Sequence, residues 1–284
     1  MRTGWVAKGF DKRRGTVLAN GMSIAPLLFA TLAGLAQAAD DAGNRAETLT
    51  PVKAVAEGDP QPMLCNAAKD VCAIVRTDEE HGNRADLEIY DRPDGAAPIA
   101  NLGLEGEIEP TRYRVWPGIV RLADGTLLVG AEENGFNGYS GGGGSATTLR
   151  LFRLDRRKAD MPMPEIFTTV ISAGISIRAC FGERDMKDRR GACHDEYDFD
   201  AVLALDPVST NGMPRLSKTT VATTYPGDVS RNEDSLAKGR LRKSDLVHKR
   251  REDCSYRRIF TFDPKSASYQ PDSPEPDCSE FTVP

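Results

Sequence analysis

Residues 119–130 read IVRLADGTLLVG, and this stretch decides the fold class. Two apolar runs, at 119–122 and 126–130, flank Ala123, Asp124 and Gly125. An Asp-Gly pair accepts the positive φ angles that a tight hairpin turn requires. The stretch therefore predicts two antiparallel strands joined by a short turn.

Similar short strands, divided by turn residues, are predicted along the rest of the chain. Phe199, Ala201, Leu203 and Leu205 alternate with more polar neighbours, which is typical of a strand with one buried face. The predicted strands lie at 71–76, 87–91, 119–122, 126–130, 149–154, 166–171, 175–180, 199–205, 219–223, 258–263 and 280–283. The best helical candidate, at 232–242, is weakened by Gly239. We therefore expect an all-β, mainly antiparallel fold with little helix.

The architecture is less determined than the fold class. Four strands end in an aspartate, at Asp91, Asp155, Asp206 and Asp263, with spacings of 64, 51 and 57 residues. Such a repeat is compatible with the blades of a small propeller-like array of hairpins. Asp is also a common residue at the end of any strand, so a two-sheet sandwich fits equally well, and a mixed α/β fold is the third alternative.

The first 38 residues have the pattern of a cleavable secretory signal. Five basic residues lie within positions 2–14, and positions 17–35 are uncharged. Ala36, Gln37 and Ala38 then give a small-x-small cleavage pattern, so we expect Sec-type export with cleavage before Ala39. An uncleaved membrane anchor is the alternative, but Asn20 and Pro26 interrupt the apolar run. The mature chain is expected in the periplasm or secreted, without stable membrane insertion.

The charge of the mature chain excludes some classes of partner. Without the five basic residues and one acid of the signal, 32 Lys and Arg and 41 Asp and Glu remain, a net charge of −9. A chain of that charge is not suited to nucleic acid or to an anionic membrane. Positions 39–62 are polar and lack a period, which predicts a flexible arm, and 63–284 are expected to form a single β-rich domain.

Six cysteines fall into three pairs of near neighbours. An even number in an exported chain predicts disulfides, although six cysteines allow 15 connectivities. We expect local pairing: Cys65 with Cys72, Cys180 with Cys193, and Cys254 with Cys278. A zinc site is disfavoured because no C-x-x-C occurs and His81, His194 and His248 are scattered, so no metal or cofactor is predicted.

Two serine motifs resemble catalytic sequences without their usual context. Ser140 lies in a G-x-S-x-G match, but the surrounding 134–145 (NGFNGYSGGGGS) predicts a flexible loop in place of the strand–serine–helix elbow that a hydrolase needs. Tyr139 and Phe136 of that loop are candidate contacts for a partner. Ser235 and Lys238 match S-x-x-K, but the companion motifs are missing.

A run of acids at 195–200 offers a second, weak catalytic or calcium hypothesis. Asp195, Glu196, Asp198 and Asp200 gather four carboxylates in six residues. They lack the glycine-turned loop of an EF-hand, and alternate residues of a strand point to opposite faces. A solvated strand is the preferred interpretation. Asp198, together with His194 and Ser140, is the remaining catalytic candidate.

Two basic surfaces are candidate binding sites. Residues 181–192 lie between Cys180 and Cys193, so a disulfide there would hold Arg184, Lys187, Arg189 and Arg190 in a restricted loop. Positions 238–258, which include Arg250 and Arg251, hold nine Lys and Arg against three acids. Each surface is equally compatible with an ordinary solvated polar face.

We therefore expect an exported, non-enzymatic binding protein whose partner is another protein of the cell envelope, such as a toxin or hydrolase that it inhibits as an immunity-type partner. The alternatives are an envelope hydrolase of peptidoglycan, glycan or ester bonds that uses Ser140 or the carboxylates of Asp195 to Asp200, and a structural module of an envelope assembly. The oligomeric state is left open.

Overall fold

A computed structural model describes residues 39–52, 61–77, 84–106, 111–158, 162–237 and 239–284. The strands are β1 (Arg45–Thr48), β2 (Thr50–Pro51), β3 (Leu64–Cys65), β4 (Cys72–Thr77), β5 (Arg84–Tyr90), β6 (Ala100–Glu105), β7 (Thr111–Val115), β8 (Gly118–Arg121), β9 (Leu127–Tyr139), β10 (Gly142–Leu154), β11 (Glu165–Arg178), β12 (His194–Thr210), β13 (Met213–Tyr225), β14 (Lys249–Arg250), β15 (Arg257–Asp263) and β16 (Ser268–Pro271). The helices are α1 (Glu183–Asp188) and α2 (Ser279–Thr282). The expected all-β class is confirmed.

All strand pairs are antiparallel and form two sheets. The large sheet has the order β1-β8-β9-β10-β11-β12-β13-β15-β16, with β7 also paired to β9 and β14 to β13. The small sheet has the order β2-β3-β4-β5-β6. Most neighbours are also neighbours in sequence, which is why local hairpin signals predicted the fold class well.

The hairpin predicted from the opening stretch is confirmed. Arg121 pairs with Leu127, and Gly125 has a φ of +87°. The Leu122 amide donates to the Thr126 carbonyl at 2.8 Å, and the Asp124 carboxylate accepts from the Thr126 amide at 2.9 Å. The Asp side chain thus closes the turn that the Gly permits.

The flexible loop expected at 134–145 is wrong, because this segment forms the end of a long hairpin. Tyr139 pairs with Gly142, so the turn itself contains only Ser140 and Gly141. Glycine is needed in this hairpin for close approach: a Cβ on Gly142 would lie 2.2 Å from the Ser176 carbonyl oxygen. The glycines here allow three strands to pair closely where they had been interpreted as a sign of flexibility.

The flexible arm expected at 39–62 is also incorrect for its first part, since residues 39–52 belong to the fold. Asn44 is completely buried and its amide side chain donates to Asp40 at 2.7 Å. Glu47 accepts a hydrogen bond from Arg121 at 2.7 Å. The polar composition misled because these side chains have partners far away in sequence. Residues 53–60 lie outside the described part of the chain.

Three other boundaries differ from expectation. The two strands predicted at 166–171 and 175–180 are one strand, β11, and the helix predicted at 232–242 is a series of turns in its described residues. The strand predicted at 280–283 is the short helix α2, whose Phe281 is buried. Gly239 has a φ of +78°, which explains why no helix continues there.

Two cores show that sheets packed face to face form the architecture. One core lies between the small sheet and the β7 to β10 part of the large sheet, with Leu87, Ile89, Leu127 and Val129 among its members. A second core lies between β8 to β11 and β12 to β16, where the large sheet folds over itself. The sandwich alternative is therefore the correct one. The four strand-ending aspartates do not mark blades, since Asp91 follows a strand of the small sheet and the others belong to the large one.

All three expected disulfides are present. The Cα–Cα distances are 4.0 Å for Cys65–Cys72, 4.8 Å for Cys180–Cys193 and 5.7 Å for Cys254–Cys278. Such bonds persist in oxidising compartments, so the fold is that of a non-cytoplasmic protein. Within the described ranges, no helix combines the length and apolar character required to span a membrane. The signal predicted at 1–38 lies outside these residues.

Candidate functional site

The sheet from β9 to β13 has one closed face and one open face. On the closed face, Ala173, Ile175, Tyr197 and Phe199 are buried in a core that Phe281 of α2 completes. On the opposite face the cross-strand pairs are Phe136 with Ser145, Ser145 with Gly174, Gly174 with Asp198, and Asp198 with Thr223. These five residues are half-buried or exposed. They define what we call the outer face.

A row of carboxylates follows β12 along the outer face. Glu196, Asp198 and Asp200 alternate with the buried Tyr197 and Phe199. Because a strand rises about 3.3–3.4 Å per residue, the row repeats about every 7 Å. Among the residues that the structure describes, none of the three acids has an ion-pair partner.

The electrostatics of this row disfavour its own charge. Burial raises the pKa of Asp198, and the neighbouring carboxylates of Glu196 and Asp200 raise it further, whereas His248 lowers it. His248 lies at the margin of the face, with its ring stacked on Tyr225 at 4.9 Å between centroids. The row is thus a concentration of negative charge that the fold compensates only in part.

A cleft of about 310 Å³ lies on the outer face between an aromatic ring and the carboxylates. A Cβ on Gly143 would lie 3.6 Å from Cζ of Phe136, and a Cβ on Gly174 would lie 3.7 Å from Oδ1 of Asp198. Small residues therefore form the floor, and larger ones form the two sides. The lining residues are Phe136, Gly143, Gly144, Ser145, Gly174, Ile175, Ser176, Glu196 and Asp198.

The loop between Cys180 and Cys193, which we call the stapled loop, is tied to β12 by a buried ion pair. The guanidinium of Arg189 donates to the carboxylate of Asp195 and to the Ala192 carbonyl, the latter at 2.8 Å. Asp195 also accepts from the Ser235 hydroxyl. Arg189 is 2% exposed, so its predicted role as a surface contact is wrong. The reason is that its partner lies on another element, which sequence spacing did not reveal.

The other predicted contacts of the stapled loop remain at the surface. Arg184 and Lys187 are exposed on α1, and Arg184 lies 3.7 Å from Asp188 of the same helix. Arg190 is exposed, and its Nε donates to the Leu241 carbonyl at 2.8 Å. The loop therefore presents two arginines and one lysine to solvent on a backbone fixed at both ends.

Exposed apolar side chains gather where the β9–β10 turn meets the stapled loop. The Arg178 amide donates to the Gly141 carbonyl at 2.7 Å, and the Arg178 guanidinium lies 5.3 Å from the centroid of the Phe181 ring. We call this region the aromatic end. Its members, with their exposed fractions where apolar, are Phe136 (52%), Tyr139 (48%), Phe181 (65%), Met186 (55%) and Arg178.

The basic stretch at 238–258 is neutralised by acids from several elements. Arg250 contacts Glu252 at 3.2 Å, and Arg251 contacts Asp253 at 3.3 Å. Further ion pairs join Lys249 to Asp228, Arg240 to Asp188, and Arg257 to Asp206. Arg250 and Arg251 also line a cleft of about 470 Å³ that contains both signs of charge. This surface is mixed, not the open positive stripe that composition indicated. Lys238 lies outside the described residues.

The catalytic candidates are not brought together. Ser140 lies in the β9–β10 turn, whereas His194 begins β12 and Asp198 follows four residues later. Four residues of strand span about 13 Å, while a catalytic hydrogen bond needs about 3 Å. Ser235 binds Asp195, as described above, and His81 lies outside the described ranges. Within those ranges, no group of three His, Cys, Asp or Glu side chains is placed to hold a metal ion.

No protein-family model, curated protein or solved structure matches this chain. Function is therefore inferred from geometry alone. Tyr139 was recognised in the sequence as a candidate contact and belongs to the aromatic end. Arg178 was missed, although its position two residues before Cys180 placed it at the base of the stapled loop.

Proposed function

We propose that this chain is an exported, non-enzymatic binding protein that recognises another protein of the cell envelope through the aromatic end. The observation that carries the proposal is the convergence of Phe136, Tyr139, Phe181 and Met186 around Arg178. Aromatic residues, Met and Arg are the side chains enriched in protein interfaces, and aromatic residues and Arg dominate their binding energy.

The supports of the aromatic end favour binding because they reduce the entropy lost on association. Tyr139 stands beside a two-residue turn between paired strands, and Phe181 directly follows Cys180 of a disulfide. The buried contact between Arg189 and Asp195 fixes the far side of the same loop. A partner would thus meet a surface that is already ordered.

The compartment of the partner follows from the chain's own chemistry. The disulfides require an oxidising compartment, and the predicted signal at 1–38 supports export. An envelope toxin or hydrolase blocked by this surface would be one such partner. The separation of Ser140 from His194 and Asp198 gives the hydrolase alternative no geometric support.

Site-specific photo-crosslinking tests this proposal. A photoreactive amino acid is placed at Phe181 or Tyr139 in the exported protein within its native host, with Val208 as the control, because that residue is also exposed (43%) but lies far along β12. We expect a discrete protein adduct from the first two positions only, and its loss when Arg178→Glu is added. Equal adducts from all three positions, or no adduct from any, would contradict the proposal.

A further inference from the structure

The outer face carries a charge pattern that its surroundings do not match. Acids elsewhere on the large sheet are paired: Asp195 contacts Arg189, and Asp206 contacts Arg215 at 2.5 Å. In the described part of the chain, the row formed by Glu196, Asp198 and Asp200 lacks such cations. Three carboxylates in line on an open sheet face are costly for the isolated protein, because each disfavours the ionisation of its neighbours.

We infer that the outer face binds an extended, basic segment of a partner protein with Lys or Arg at alternate positions. This inference rests on the proposed binding function and adds the chemistry of the partner. The occupant is a protein segment because the face is long and flat, and it is basic because the row is acidic.

The spacing of the row specifies the alternation. Side chains on one side of an extended segment recur every second residue, about 7 Å apart. The carboxylates of β12 recur at the same interval, since they are also every second residue. A segment that lies along β12 can therefore place one cation at each of Glu196, Asp198 and Asp200. Consecutive basic residues would direct half of their charges away from the row.

The cleft beside the row accommodates the segment itself. Gly143 and Gly174 leave the floor without side chains, so an extended backbone or the stem of a lysine can approach the sheet closely. The exposed ring of Phe136 forms the far side and offers its face to a cation. The side chains of the cleft thus provide an apolar and an ionic contact for the same residue type.

Positive groups at the margin limit where the segment can lie. His248 stacks on Tyr225, and Arg250 pairs across the sheet with Thr223 on β13 while it contacts Glu252 at 3.2 Å. A basic segment would be repelled by these two side chains. It is therefore expected over β10, β11 and β12, where the register places Ser145, Gly174 and Asp198.

Fluorescence anisotropy with two labelled peptides tests the inference on the exported protein with its disulfides intact. One peptide has three lysines alternating with threonine, and the other has the same composition with the lysines consecutive. At low ionic strength we expect the alternating peptide to bind about tenfold more tightly. Equal affinities would overturn the inference.

Two kinds of variant localise the binding. The triple change Glu196→Gln, Asp198→Asn and Asp200→Asn is expected to weaken the alternating peptide about tenfold. Its matched control removes the same charge from the exposed Asp86, Asp94 and Asp272, and is expected to bind like the unchanged protein. An equal loss in both triples would indicate general electrostatics and overturn the inference.

A steric variant keeps the test independent of charge and of folding. Gly174→Thr adds a strand-compatible side chain whose Cβ makes only ordinary contact with Asp198, so the sheet is preserved while the cleft is filled. Its binding of the alternating peptide should fall by a similar factor, and unchanged binding would contradict the site. If Phe181 crosslinks a partner while the peptide does not bind, the inference fails and the proposed function stands. Peptide binding without crosslinks has the opposite meaning.

Discussion

Arg189 of the stapled loop contacts Asp195 of β12, and the two side chains are only 2% and 5% exposed. This buried pair joins the disulfide-closed segment to the sheet that carries the outer face. Desolvation makes such a pair expensive to assemble, but the removal of one partner leaves an uncompensated buried charge.

Loss of the arginine should therefore destabilise the protein strongly. We expect Arg189→Ala to lower the free energy of unfolding by about 3–5 kcal/mol, measured by urea denaturation. Arg184→Ala is the control, because that side chain is 92% exposed and its loss should cost less than about 0.5 kcal/mol. Similar effects of the two changes would show that Asp195 is not dependent on Arg189.

The disulfide of the stapled loop should contribute separately. Its cysteines are 13 residues apart, and closing a loop of that size contributes about 3 kcal/mol in the chain-entropy account. We expect the double change Cys180→Ser and Cys193→Ser to lower stability by about that amount and to expose residues 181–192 to protease. A stability unchanged from that of the unmodified protein would mean that the buried ion pair alone orders the loop.

Asp198 should make stability fall as the pH rises. Burial and the flanking carboxylates raise the pKa of Asp198 above 3.8, so the native state binds its proton more tightly than the unfolded state. Between 3.8 and the raised value, the native state loses stability with increasing pH. Asp198→Asn removes this penalty and should stabilise the protein at pH 7 by roughly 0.5–2 kcal/mol, the range for one carboxylate pair about 7 Å apart.

Thermal unfolding at several pH values checks this prediction. The gain from Asp198→Asn should vanish below about pH 3, where the carboxyl is protonated in both states. Asp263→Asn should act in the opposite direction at neutral pH, because backbone hydrogen bonds from Lys265 and Ser266 lower the pKa of Asp263. A destabilising Asp198→Asn at pH 7 would contradict the electrostatic description of the outer face.

The hairpin end depends on a close approach that only glycine allows. In Gly142→Ala the new methyl group would lie 2.2 Å from the Ser176 carbonyl, so β10 and β11 must separate. We expect a loss of about 1–3 kcal/mol by chemical denaturation, together with weaker crosslinking from Tyr139. Gly103→Ala, whose Cβ would have no neighbour within 4 Å, is the matched control and should be nearly neutral.

Local patterns in the sequence predicted those features that depend on neighbouring residues. Asp124 and Gly125 identified a hairpin because turn chemistry is local, and the three disulfides followed from short separations. The alternation of Glu196, Asp198 and Asp200 was visible, but which face of β12 would be open was not, since that depends on where Phe281 packs. Arg189 was misassigned for the same reason, because its partner belongs to a different element.

The order of the cysteines has a consequence for how the protein matures. The three bridges join residues 7, 13 and 24 positions apart, and 108 residues separate Cys72 from Cys180. A chain that enters an oxidising compartment amino terminus first can complete the first bridge before the third cysteine arrives. Each later pair then meets no free thiol from an earlier one, so correct pairing should need an oxidant but no disulfide isomerase.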